Sequence, residues 1–152
     1  MNQYAIYWIK EEFAHHFFHK SHILYRFLKA YQMEQNREDL RKQFEFITNP
    51  FPKKELTAHL THNVSDGVRV AWQENNIEIW KDMQYISLHI HQKHINFRSE
   101  ILHDAEQLLF PALRSYQPVL FIMSNNTEHY GWLSPVIQRK RDKTEQVLYS
   151  YL

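Results

Sequence analysis

The chain of 152 residues contains no cysteine, which excludes disulfides, thiolate metal sites and a cysteine nucleophile. Glycine is nearly absent too, with only Gly67 and Gly131. Phosphate cradles need glycines so that backbone N–H groups can close on an anion, and neither residue belongs to a P-loop or a G-x-G-x-x-G. The longest apolar runs, Ala5 to Ile9 and Val119 to Met123, fall far short of the roughly 20 residues that cross a bilayer. The first residues lack the charged leader, apolar stretch and small-residue cleavage site of a secretory signal, so a cytoplasmic location is expected. A strong charge of one sign is also missing. The net charge is +1, and the last residues hold more than their share: Arg139, Lys140, Arg141 and Lys143 oppose Asp142 and Glu145, a net of +2 that leaves −1 for the rest. Nucleic-acid binders carry a basic face on the folded body, because phosphate neutralisation supplies most of their affinity. Direct nucleic-acid binding is therefore not expected, and the tail reads as a solubilising end.

What the sequence does hold is apolar and aromatic: 43% hydrophobic residues and 15% aromatic, the composition of a packed globule. The length suits one core. A single domain over 1–136 followed by a basic tail over 137–152 is the expected organisation.

Residues Tyr4 to Ile9 are aromatic or β-branched with little polarity, which predicts a strand buried on both faces. Glu11 and Glu12 open a helix, where carboxylates oppose the positive end of the macrodipole. Its apolar stripe runs through Phe13, Phe17, Leu24, Leu28 and Tyr31, with a break near His19 to Ser21 where Ser21 would cap a second helix. Asn36 is placed to cap a further helix carrying Leu40, Phe44 and Ile47, ended by Asn49, Pro50, Phe51 and Pro52. A short helix with Leu56, His59 and Leu60 follows. From Val68 the period becomes two: Val68, Val70 and Trp72 form a hairpin with Ile77 and Ile79, and Ile86, Leu88 and Ile90 make a third run. Helical spacing returns from Ile101 to Leu113, with Pro111 predicting a kink or an early end. Val119 to Met123 and Tyr130 to Leu133 are the last strands. The order β-α-α-α-β-β-β-α-β-β implies an α+β fold: a single mixed sheet of about five or six strands covered by helices.

The eleven histidines supply no strong metal pattern. His15, His19 and His22 lie at i, i+4 and i+7, but a zinc site needs three or four converging ligands with a second layer of partners. His89 and His91 share one strand face opposite Ile86, Leu88 and Ile90, as on a solvated sheet. Neither a metal nor a cofactor is expected. The element order resembles the core of GNAT acetyltransferases, so an acetyltransferase or acyl-CoA-binding protein is the alternative reading. At the place of that family's pyrophosphate loop stand His91 to Arg98, without a glycine, which argues against the activity. No G-x-S-x-G elbow occurs, and no catalytic residue is assigned.

A different resemblance is carried by three ordered blocks. Tyr7, Trp8, Ile9, Lys10, Glu11, Glu12, Phe13 and Ala14, followed by His16 and Phe18, resemble the opening of SirA proteins, the sporulation inhibitors of DNA replication. Gln43, Phe46, Ile47, Thr48, Pro50 and Pro52 match in the middle, and Tyr130, Gly131, Trp132, Leu133, Pro135 and Val136 near the end. The resemblance implies a non-enzymatic regulator that binds domain I, the N-terminal domain, of the initiator DnaA, as a monomer pairing with its target. It also implies partner-binding roles for Phe13, Phe17 and Gln43, with Phe46 and Pro50 beside them. Phe17 stands where the family has a tyrosine, His19 where a glycine is familiar, and Ser134 where it has an asparagine. Tyr130, Gly131 and Trp132 are read as structural.

Overall fold

Large apolar side chains point to both sides of the first strand because that strand lies inside the sheet with helices on each face. A computed structural model describes residues 1–73, 75–117 and 119–134. The tail expected over 137–152 lies outside them. The elements are β1 (Asn2–Ile9), α1 (Glu11–Phe17), a 3₁₀ turn (Phe18–Lys20), α2 (Ser21–Met33), α3 (Glu38–Ile47), β2 (Thr48–Asn49) and α4 (Lys53–His62). There follow β3 (Arg69–Gln73), β4 (Asn76–Lys81), β5 (Gln84–Ile90), β6 (Ile95–Ser99), α5 (Leu102–Leu108), α6 (Phe110–Tyr116), β7 (Leu120–Ser124) and β8 (Tyr130–Trp132).

The fold is α+β, with one eight-stranded sheet ordered β3-β4-β5-β6-β1-β7-β8 and β2 paired to β1. Two expectations are corrected here. The sheet is antiparallel at every pairing of the described residues, not mixed, and it has eight strands where about five or six were counted. The additional strands are β2 and β6. Segment 91–98 is thus no strand-to-helix connection: 91–94 form a hairpin turn, closed by His91 N–H donating to His94 O at 2.8 Å, and 95–98 already belong to β6. β6 runs beside residues 2–6 of β1, and β2 takes over on the same side at Trp8 and Ile9.

Two apolar layers result. On one face Tyr4 and Ile6 of β1 join Ile86, Leu88, Phe97, Leu120 and Ile122 beneath α4, α5 and α6. On the other, Ala5, Tyr7 and Ile9 join Phe121, Met123 and Trp132 beneath α1, α2 and α3. The single stretch Ala5 to Ile9 therefore serves two cores, as period-two geometry requires of a central strand. Pro111 sits in the first turn of α6, where its missing N–H costs nothing, and the expected helix divides in front of it.

The helix starts depart from expectation. The break at Phe18–Lys20 is present, but Ser21 does not cap α2: it is already helical, its hydroxyl donates to Phe18 O at 3.0 Å and accepts the Trp132 indole N–H at 3.1 Å. Asn36 does not cap α3, whose N-cap position is Arg37, with Arg37 pairing to Asp39 at 2.7 Å. Ser21 is buried, so Ser21→Ala leaves an indole donor unpaired inside the protein. Urea denaturation should show a loss of about 1–2 kcal/mol.

Candidate functional site

The short strand β2 determines where α1 and α3 meet. Thr48 and Asn49 pair with Ile9 and Trp8, and Lys10 N–H donates to Ile47 O at 2.8 Å. The start of α1 is thereby tied to the end of α3. Thr48 reinforces the junction: its hydroxyl donates to Phe44 O at 2.7 Å, and the Lys93 ammonium, from the β5–β6 turn, donates to Thr48 O at 3.1 Å. Beneath α3, Phe44 is buried, stacked on Tyr31 at 4.0 Å and edge-on to Tyr7 at 5.7 Å. Phe46 lies two residues, about 200° of helix, beyond Phe44 and therefore points outward.

This junction brings Phe13 and Phe46 into edge-to-face contact, with ring centroids 5.3 Å apart. The Lys10 ammonium stands 5.4 Å from the Phe46 ring centroid, within cation–π reach. Phe46 is 62% exposed, an unusual position for a phenylalanine, while Phe13 and Phe17 are partly buried against the second core. Phe17 is one turn further along α1 with His16 against it at 4.9 Å, and Gln43, exposed, is one turn before Phe46 on α3. Pro50, also exposed, follows β2. Of the five residues singled out, Phe13 and Phe46 thus touch, Phe17 and Gln43 extend the patch along their own helices, and Pro50 lies beyond the junction. Phe18 faces Trp132 at 6.3 Å and, like Phe13 and Phe17, is partly buried against the second core. Lys10 escapes sequence reasoning, because its value comes only from the contact with Phe46.

A histidine cluster flanks the same junction. His94 stacks on His91 at 4.5 Å and faces Tyr7 at 6.0 Å. Burial first, and the neighbouring His91 second, push the His94 imidazole down to about 4. Burial likewise pushes the Tyr7 phenol up to about 12, against the opposing effect of Gln32, whose amide donates to the phenol oxygen at 2.6 Å. Folding favours neutral His94, so its contribution is complete above the ordinary imidazole value of 6.5 and is lost as pH falls toward about 4. Partial exposure discounts the full shift to about 1–2 kcal/mol. Urea midpoints compared at about pH 7.5 and about pH 4.5 should therefore fall less for His94→Gln than for the wild type.

Helices that display aromatic rings beside a cation, on one side of an antiparallel sheet, define an α+β protein whose exposed chemistry suits contact with another macromolecule. The chain belongs to the SirA family: the family model for "Sporulation inhibitor of replication protein SirA" matches residues 2–137. A similar protein of that name from Bacillus subtilis (strain 168) is 28% identical over 141 residues, covering 90% of this chain and 95% of the relative. The names are those of a replication inhibitor of sporulation and not of an enzyme. No helix among the described residues is long and apolar enough to cross a membrane.

Proposed function

We propose that this protein inhibits the initiation of DNA replication during sporulation by binding domain I of the initiator DnaA through the α1–α3 patch. The supporting observation is the Phe13–Phe46 pair, half of which stands in solvent under a lysine. Burying an aromatic side chain in a partner contributes about 1.5–3 kcal/mol, so two or three such rings supply most of a modest interface. Phe13, Phe17 and Phe46 are the anchors, Gln43 provides an orienting hydrogen bond, and Pro50 borders the footprint. Glu11 and Glu12, exposed in the first turn of α1, give it a charged rim. The protein acts in the cytoplasm as a monomer that pairs with one domain I.

Calorimetric titration of purified DnaA domain I into the full chain tests the reading. Saturable heat at one-to-one stoichiometry is expected. Silence at about 100 μM of both proteins would refute it.

A further inference from the structure

The helical layer on the opposite face of the sheet is incomplete. Between α4 and the β3–β4 hairpin lies an open cavity of about 580 Å³, within the usual size of small-molecule sites. Its floor is apolar: Ile77 and Ile90 are 4% and 5% exposed, and beside them the Trp72 indole is 48% exposed. Trp72 and Ile77 are cross-strand partners on one sheet face, so the indole and the isoleucine form a continuous surface. The middle of the α4 wall bears small side chains, Thr57, Ala58 and Thr61, leaving that surface open, and His62 closes the far end with its imidazole on Ala58 O at 2.7 Å.

The mouth is cationic. Lys53 and Lys54 both line it, and Lys53 reaches across from α4 to donate to Asn75 Oδ1 at 2.6 Å. No carboxylate lines the cavity among the described residues. The two lysines occupy the first turn of α4 together with Glu55, which does not line the cavity, and the positive end of the macrodipole adds to their attraction for an anion seated beside them. Residues 137–152, of net charge +2, have the wrong sign to fill the mouth themselves.

We propose that this cavity binds a small aromatic anion, its ring against Trp72 above Ile77 and Ile90 and its acidic group held by Lys53 and Lys54. Stacking on an exposed indole selects an aromatic over an aliphatic body, and charge-assisted hydrogen bonds select an anion over a neutral analogue.

The probe is 1-anilinonaphthalene-8-sulfonate, titrated into the full chain and followed by its fluorescence. Saturable binding is expected, weakened at least about fivefold by Trp72→Ala and by the Lys53→Gln/Lys54→Gln pair, and abolished by Ala58→Trp, which fills the cavity from an exposed helical position. Phe46→Ala should leave it unchanged. The uncharged 1-anilinonaphthalene should bind at least about fivefold more weakly, and decanoate should not displace the probe. Affinity within about twofold of wild type in the lysine pair, or displacement by decanoate at equal concentration, would overturn the proposal. Circular dichroism of each variant separates lost binding from lost folding. DnaA domain I binding has its contacts on the other helical layer and stands or falls separately.

Discussion

Phe46→Ala is expected to weaken binding of DnaA domain I by about 30-fold or more while changing stability by less than about 0.5 kcal/mol. The asymmetry follows from geometry. Phe46 is 62% exposed, so the free protein gains little from its ring, whereas a partner that covers it gains most of the transfer energy of a benzyl group. Phe13→Ala should lower affinity similarly but also cost about 1 kcal/mol of stability, because its inner edge packs on the second core. The two rings touch, so the effects should not add, and a double-mutant cycle should return a coupling of about 0.5–1.5 kcal/mol. Lys10→Met, which keeps the stem and removes the charge over Phe46, isolates the cation's share. If Phe46→Ala and Phe13→Ala both bind domain I like wild type, the patch is not the interface.

Trp132→Ala should be the most destabilising substitution in the chain, at about 3–5 kcal/mol by urea or thermal unfolding. Trp132 has no exposed surface, packs on Phe121 at 5.0 Å and on Phe18 at 6.3 Å, and spends its one donor on Ser21. Removing it opens a cavity where β8, the 3₁₀ turn and α2 meet, and leaves the Ser21 hydroxyl without its donor. A domain of this size is typically stable by about 5–15 kcal/mol, so a large part of its margin is at stake. Trp132→Phe should recover roughly half by restoring ring volume without the N–H. Domain I affinity measured on the folded fraction should be nearly unchanged, which distinguishes this residue from Phe46.

What can be read from residues alone follows from how each element advertises itself. The hairpin at Val68 to Ile79 is legible because one of its faces is apolar, and β1 and β7 are legible because both of theirs are. β6 escapes even though Ile95, Phe97 and Ser99 alternate cleanly with Asn96 and Arg98, because the preceding turn, His91 to His94, contains no glycine, proline, asparagine or aspartate. Its shape is held by the His91–His94 stack within the turn and by the distant Lys93 bond to Thr48, neither of which is a turn-residue signal. β2, two residues long, has no period at all. That matters for the patch. Phe13, Phe17 and Phe46 all come from the family resemblance, but the meeting of Phe13 with Phe46 depends on the β1–β2 pairing, which no local pattern records. The capping serines and asparagines mislead for a related reason: Ser21 serves a distant indole instead of its own helix.

The placement of β1 has a temporal consequence. Beyond its two-residue pairing with β2, β1 pairs with Ile95–Ser99 on one side and Leu120–Ser124 on the other. A nascent chain must make roughly a hundred residues beyond β1 before that strand finds either of these long neighbours, and topologies dominated by such distant pairings fold on millisecond-to-second timescales. Because α1 hangs directly from β1, its aromatic rings gain their final setting against the second core only once β7 has been made. A chain stalled before β7 can pair β2 with β1, yet it lacks the sheet on which α1 and α3 rest.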